Sequence, residues 1–190
     1  ATAVRSQYYL GVIKGEARRI PIAVYDIYDE KGALAFRGQV LDILQADLRH
    51  SGIFDVMEPK KLDIGYSSTA EPSVELVKRA GTFGLTGVAW ATMRSKGKDL
   101  MLAGKLYDAA GGSRLLSREY FGNEETLRRA VHSFADDIVT QYTGEKGIAR
   151  TRIAYGSDKT GHKELHGMDY DGHNPRKITA DRSLCMSPAW

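Results

Sequence analysis

The sequence predicts an α+β fold: a mixed β-sheet covered by two to three helices, followed by an incomplete β-propeller blade. Three observations carry this expectation. Strand-like and helix-like periods alternate in the order β-β-α-β-α-β-β-β-α up to residue 143. Leu127, Val131, Phe134, Ile138 and Tyr142 form one continuous helical stripe that needs a sheet face to cover. After Gly147, short strand-like runs alternate with tight turns, the pattern of a β-meander. The expected organisation is an α+β domain over 1–143, a linker over 144–150 and a partial first blade over 151–190.

Residues 4–13, V-R-S-Q-Y-Y-L-G-V-I, have strand propensity with imperfect alternation. K-G-E-A at 14–17 turns the chain, and 19–25 reads as a second strand, with Pro21 marking an edge or an entry point. Residues 37–50 form an amphipathic helix in which Val40, Leu41, Leu44 and Leu48 fall at helical spacing and Gly52 suits the C′ position. A short strand at 53–57 stops at Pro59, and 60–70 is loop-like. A second helix spans 72–80. Pro72 sits in its first turn, where a missing N–H costs nothing, Val74, Leu76, Val77 and Ala80 provide the inner face, and Gly81 closes it.

Residues 85–121 read as a meander with strands at 85–94, 99–107 and 114–121, joined by S-K-G-K and D-A-A-G-G turns. In the middle strand Leu100, Leu102, Gly104 and Leu106 share one face, and Met101, Ala103, Lys105 and Tyr107 the other. The third helix follows, with Asn123 as N-cap, Glu124 and Glu125 suited to the positive end of the helix dipole, and Gly144 as its stop. The terminal meander has strands at 152–155, 164–169 and 176–179 and ends in S-P-A-W. One blade cannot bury its own faces, and propellers stack several of roughly 40–45 residues each. The chain therefore reads as a piece of a longer protein. Its unstacked strand edges invite a strand-exchanged dimer.

Composition narrows the function classes. The 190 residues are 42% hydrophobic and 27% charged, ordinary values for a globular protein. No apolar run approaches the ~18 residues of a membrane helix, so membrane insertion is not expected. The net charge of +3 is spread along the chain without a basic block, which disfavours nucleic acid as a partner. Cys185 is the single cysteine, excluding a disulfide scaffold and a four-cysteine zinc site. The small-residue start A-T-A suits either removal of a signal peptide or a cloning remnant.

The residues that carry chemistry elsewhere are poorly arranged for it here. Of the five histidines, His50, His132, His162, His166 and His173, the last three lie near Asp158, Asp169 and Asp171 but fall on turns and a strand rather than on converging elements. Gly81, Gly84 and Gly87 precede a strand, whereas phosphate loops follow one and lead into a helix. Asp136 and Asp137 are adjacent on a helix, point about 100° apart, and are expected on its solvated face. Asp169-Tyr170-Asp171-Gly172 lacks the later ligands of a calcium loop and reads as a hairpin turn. No G-x-S-x-G nucleophile elbow occurs. Catalytic residues, cofactors and metals are expected to be none.

Several runs are similar to a known family. R-R-I-P-I-A-V, D-I-L-Q-A-D-L-R-H-S-G-I-F-D-V, L-Y-D-A-A-G-G-S-R-L-L-S-R-E-Y-F and F-A-D-D-I-V-T-Q-Y-T-G-E-K-G-I-A-R-T-R-I-A-Y resemble the N-terminal domain of the TolB family. S-D-K-T-G-H-K-E-L-H-G-M-D-Y-D-G-H-N-P-R-K-I-T with S-P-A-W resembles the first blade of that family's propeller. Residues 60–84 depart most from the pattern, and His166-Gly167 stand where bulkier strand residues are expected. The resemblance implies a non-enzymatic periplasmic adaptor of a Tol–Pal-type system, serving outer-membrane integrity, cell division and colicin import. It implies that the N-terminal segment contacts the C-terminal domain of TolA, and that Pal binds a propeller region beyond this chain. Within 1–13, Val4, Arg5, Tyr8, Tyr9, Leu10 and Val12 are the candidate contacts, an extended run suited to pairing either with a partner's sheet edge or within its own sheet. The alternative is the propeller of a prolyl-oligopeptidase-like peptidase.

Overall fold

The computed structural model describes residues 18–25, 27–31, 34–58, 70–159 and 161–181. The chain divides into two compact units, 1–147 and 148–190. The first holds strands β1 (Ile20–Val24), β2 (Tyr28–Lys31), β3 (Phe54–Met57), β4 (Gly87–Lys96), β5 (Asp99–Asp108) and β6 (Arg114–Asn123), with helices α1 (Arg37–His50), α2 (Val74–Thr82) and α3 (Leu127–Thr143). The fold is α+β with a mixed sheet, as expected. The expected strand at 4–13, the turn at 14–17 and most of the loop at 60–70 lie outside the described residues.

The six-stranded sheet runs β3-β1-β4-β5-β6, with β2 also on β4. β1, β2 and β3 run parallel to their partners, and β4-β5-β6 form an antiparallel meander. β1 and β2 pair with successive stretches of the same edge of β4, at 87–89 and 92–94, and so act as one strand broken around Tyr25 to Ile27. Sequence reading placed a single strand at 19–25 and missed β2, together with the 3-10 turn Leu34–Phe36. Of the two readings of Pro21, entry point holds and edge does not. β1 lies between β3 and β4, and Pro21 precedes its first residue paired with β4, Ile22.

Helix α1 begins and ends as its spacing predicts, with Val40, Leu44 and Leu48 buried. Helix α2 starts later than expected because Ser73 is its N-cap, its hydroxyl accepting from the Leu76 N–H at 3.2 Å. Its end moves too: Gly81 is helical, and the left-handed residue after it is Gly84. Val77 and Ala80 face inward, but Val74 is half exposed, contrary to its expected inner position. Helix α3 starts at Leu127. Asn123 instead closes the preceding turn, its Oδ1 accepting from the Thr126 N–H at 3.0 Å while Thr126 Oγ1 accepts from the Asn123 N–H at 2.8 Å. The stripe Leu127, Val131, Phe134, Ile138 and Tyr142 is buried throughout, and Gly144 ends the helix with φ of 78°.

The sheet carries helices on both faces. Gly87, Ala89 and Ala91 of β4 and Leu102, Gly104 and Leu106 of β5 point toward α3: a Cβ on Gly104 would meet the Phe134 ring, and one on Gly87 the Tyr142 hydroxyl. On the other face Val88, Trp90 and Tyr107 pack with Val77 and Ala80 of α2, and Tyr25 stacks on Trp90 with centroids 4.8 Å apart.

The second unit contains β7 (Arg152–Ser157), β8 (Glu164–Asp169) and β9 (Arg176–Lys177) in one antiparallel sheet. This matches the expected meander, with β7 longer and β9 shorter. Glu164 is fully buried, accepting from the Thr179 hydroxyl at 2.6 Å and lying 3.3 Å from Lys177 Nζ.

Candidate functional site

The segment singled out for partner binding, with Val4, Arg5, Tyr8, Tyr9, Leu10 and Val12, lies outside the described residues, as do Cys185 and S-P-A-W. A groove of about 380 Å³ opens at one end of the first unit's sheet. Phe36, from the turn before α1, and Leu100 of β5 supply apolar lining, while Lys98, Asn123, Glu124 and Glu125 supply polar groups. The lining brings together the β4–β5 hairpin and the approaches to α1 and α3, which no sequence window contains. It mixes both charge signs and includes no histidine or cysteine.

Several titratable groups are held in structural pairs. His132 and Asp47 form a pair: Nδ1 of His132 lies 2.6 Å from Oδ2 of Asp47, bridging α3 and α1. The two residues are only 5% and 3% exposed, so the pair is closed to substrate and ties one helix to the other. The sequence carried a signal for it, since Asp47 interrupts the apolar stripe Val40, Leu44, Leu48 of α1. Asp136 and Asp137 overturn the expected solvated face. Asp136 is buried, and Asp137 accepts from the Tyr120 hydroxyl at 2.6 Å and from Arg118 at 2.7 Å, fastening α3 to β6.

On the face covered by α2, Glu71 accepts from Lys105 at 2.6 Å and lies 3.4 Å from Arg114. The hydrogen bond from Lys105, then its charge, hold the Glu71 carboxyl below its ordinary value. Burial, reinforced by the Glu71 charge, raises Tyr107, and burial pushes Tyr25 up to about 12 against the opposing charge of Arg79. These tyrosines stay neutral and donate or pack. None is set up to lose a proton near neutral pH.

Gly81, Gly84 and Gly87 are a helix end, a left-handed turn and a strand start, in keeping with their reading as non-phosphate glycines. At Gly87 a side chain would meet the Tyr142 hydroxyl. In the second unit, Asp169 accepts from the Asn174 side-chain amide at 2.5 Å and Asp171 from the His173 N–H at 3.0 Å, which makes 169–174 a self-bonded turn. His166 stacks on Tyr155. Among the described residues no three His, Cys, Asp or Glu side chains converge to hold a metal ion, and no helix is long and apolar enough to cross a membrane.

Comparison with known proteins supplies what site geometry does not. Residues 8–115 match the TolB amino-terminal domain family. The Tol-Pal system protein TolB of Geobacter sulfurreducens is 32% identical over 191 residues, covering 95% of this chain and 42% of that protein. The protein of the same name from Anaeromyxobacter dehalogenans strain 2CP-1 is 34% identical over 191 residues, covering 100% of this chain and 44% of that protein. This chain thus spans less than half the length of these curated relatives. The crystal structure of TolB from Acinetobacter baumannii shares the fold, with a TM-score of 0.71 at 22% identity over 91% of this chain and 41% of that one. The alternation of strands and helices, the helix stripes and the match over 8–115 converge on one statement: the chain belongs to the TolB family, whose amino-terminal domain it carries.

Proposed function

We propose that this chain is part of a Tol–Pal system protein acting in the periplasm as a non-enzymatic adaptor. In this reading residues 1–13, with Val4, Arg5, Tyr8, Tyr9, Leu10 and Val12, engage the C-terminal domain of TolA, and the region that meets Pal belongs to a propeller beyond residue 190. The domain over 1–143 then presents the segment, 144–150 links it onward, and 151–190 begins the first blade. The cellular roles that follow are outer-membrane integrity, division and colicin import. The observation that carries the reading is the family match over residues 8–115. The described ionisable groups add support, because Asp47 with His132, Asp137 with Tyr120 and Glu71 with Lys105 bind one another in structural pairs. No observation favours the peptidase alternative.

The test is a calorimetric titration of the chain with the TolA C-terminal domain, with and without residues 1–13. Saturable heat that disappears on deletion supports the reading. Equal heat from both forms moves the contact elsewhere, and no heat from either removes TolA from the proposal. Sedimentation of the chain alone tests the strand-exchanged dimer: a dimer lost on removal of 151–190 supports exchange through the terminal strands.

A further inference from the structure

Strand β6 ends the six-stranded sheet, so the outward N–H and C=O groups of a ten-residue strand pair with no strand among the described residues. Near its C-terminal half the strand is held by α3. Arg118 and Tyr120 point toward α3 and share Asp137, which ties β6 to the helix. On the opposite face stand Glu119 and Phe121, two residues apart and side by side. Phe121 is 74% exposed. Glu119 is exposed too, and forms no side-chain hydrogen bond or ion pair among the described residues.

We infer that the β6 edge receives an added strand from a protein partner, an extended segment carrying a basic and an apolar side chain two residues apart. Main-chain hydrogen bonds to the open edge would supply affinity, and the two side chains would supply register. The cation falls opposite Glu119 and the apolar side chain opposite Phe121, the cross-strand arrangement that stabilises sheets. A second copy of β6 fits less well. Antiparallel self-pairing places side chains of one face against side chains of the same face. Arg118 is on the face opposite Glu119 and is engaged by Asp137. Arg114 lies beyond the register irregularity near Tyr107 and faces Glu71. Self-pairing therefore leaves Glu119 without a counter-charge.

The probe is a short fluorescent peptide in which threonines alternate with lysine and valine, so that lysine and valine are two positions apart. Its counterpart carries glutamate in place of lysine, and a third version carries a mid-peptide proline that removes a ladder donor. Fluorescence anisotropy with the whole chain should show saturable binding of the lysine peptide, weaker binding of the glutamate peptide by about fivefold, and loss of binding with proline. Glu119→Lys should invert the preference between the two charged peptides, and Phe121→Thr should weaken both. Both positions are exposed, so circular dichroism should show the native spectrum for each variant. Absence of binding by the lysine peptide overturns the proposal, as does a charge preference that Glu119→Lys leaves unchanged. A dimer of the chain that the lysine peptide dissociates assigns the edge to a second copy and also overturns it.

Discussion

The two faces of the central sheet fill their buried layers by different means. Toward α3 the strands carry a patch of small residues, Gly87, Ala89 and Ala91 on β4 and Gly104 on β5, flanked by Ile22, Val24, Leu102 and Leu106, and Phe134, Ile138 and Tyr142 of the helix fill the space over it. Toward α2 the strands present Val88, Trp90 and Tyr107, and Tyr25 joins them from just past β1. There a nine-residue helix contributes only Val77 and Ala80 to the buried cluster. Close packing demands a filled interior wherever the volume originates. A face backed by α1 and α3 together can hold a patch of glycine and alanine, whereas a face with one short helix must carry more of its own bulk. The bulk reaches only part of that face, and Phe121 at the far edge stays uncovered.

Four substitutions test this contrast, from the largest expected effect to the smallest. Trp90→Ala removes the main volume on the α2 face and should cost about 3–5 kcal/mol in urea unfolding. A loss below about 1 kcal/mol would show that the short helix can collapse into the space. Asp47→Ala strips His132 of a buried partner between α1 and α3 and should cost about 3 kcal/mol, with the double change Asp47→Leu plus His132→Leu recovering much of it. Gly104→Ala inserts a methyl group where the Phe134 ring already sits and should cost about 2 kcal/mol. Alanine at an ordinary strand glycine would instead stabilise, so an increase in stability would break the contrast.

Phe121→Thr should change stability by no more than about 0.5 kcal/mol, since the residue is 74% exposed. Acid titration adds a finer test on the α2 face. The Glu71 carboxyl is held below its ordinary value, so the stabilisation it brings is present above the unfolded-state pKa and fades as pH falls through the lowered folded one. Glu71 is more than half exposed, which limits the effect to under about 1 kcal/mol. The slope of stability against pH in that acid window should flatten in Glu71→Gln.

Sequence legibility followed the range over which each element is decided. Helix α1 came out at its true bounds because its stripe and Gly52 are local signals. Helix α3 was placed too early because Asn123, Glu124 and Glu125 are all good helix-start residues, yet the turn they form is closed by Thr126 before the helix begins. The strand β2 was missed because Y-D-E-K carries almost no strand propensity. It exists because β4 extends beyond the end of β1 and offers it a partner. The candidate partner segment drew its support from a resemblance and from local extended propensity alone. The groove, the Asp47–His132 bridge and the open edge at Glu119 and Phe121 each depend on residues distant in sequence.

By itself, then, the sequence determined the kinds and order of most elements, the α+β class and the family. All three rest on periodicity, turn residues and short runs that are written along the chain. Only the tertiary structure decided that Asp136 is buried and Asp137 ties α3 to β6, that β1 is an interior strand despite Pro21, and that β6 ends its sheet with a carboxylate unpaired among the described residues beside an exposed ring. Those facts are properties of neighbours, and a residue's neighbours across a sheet are chosen by register and packing over tens of residues, beyond the reach of any local pattern.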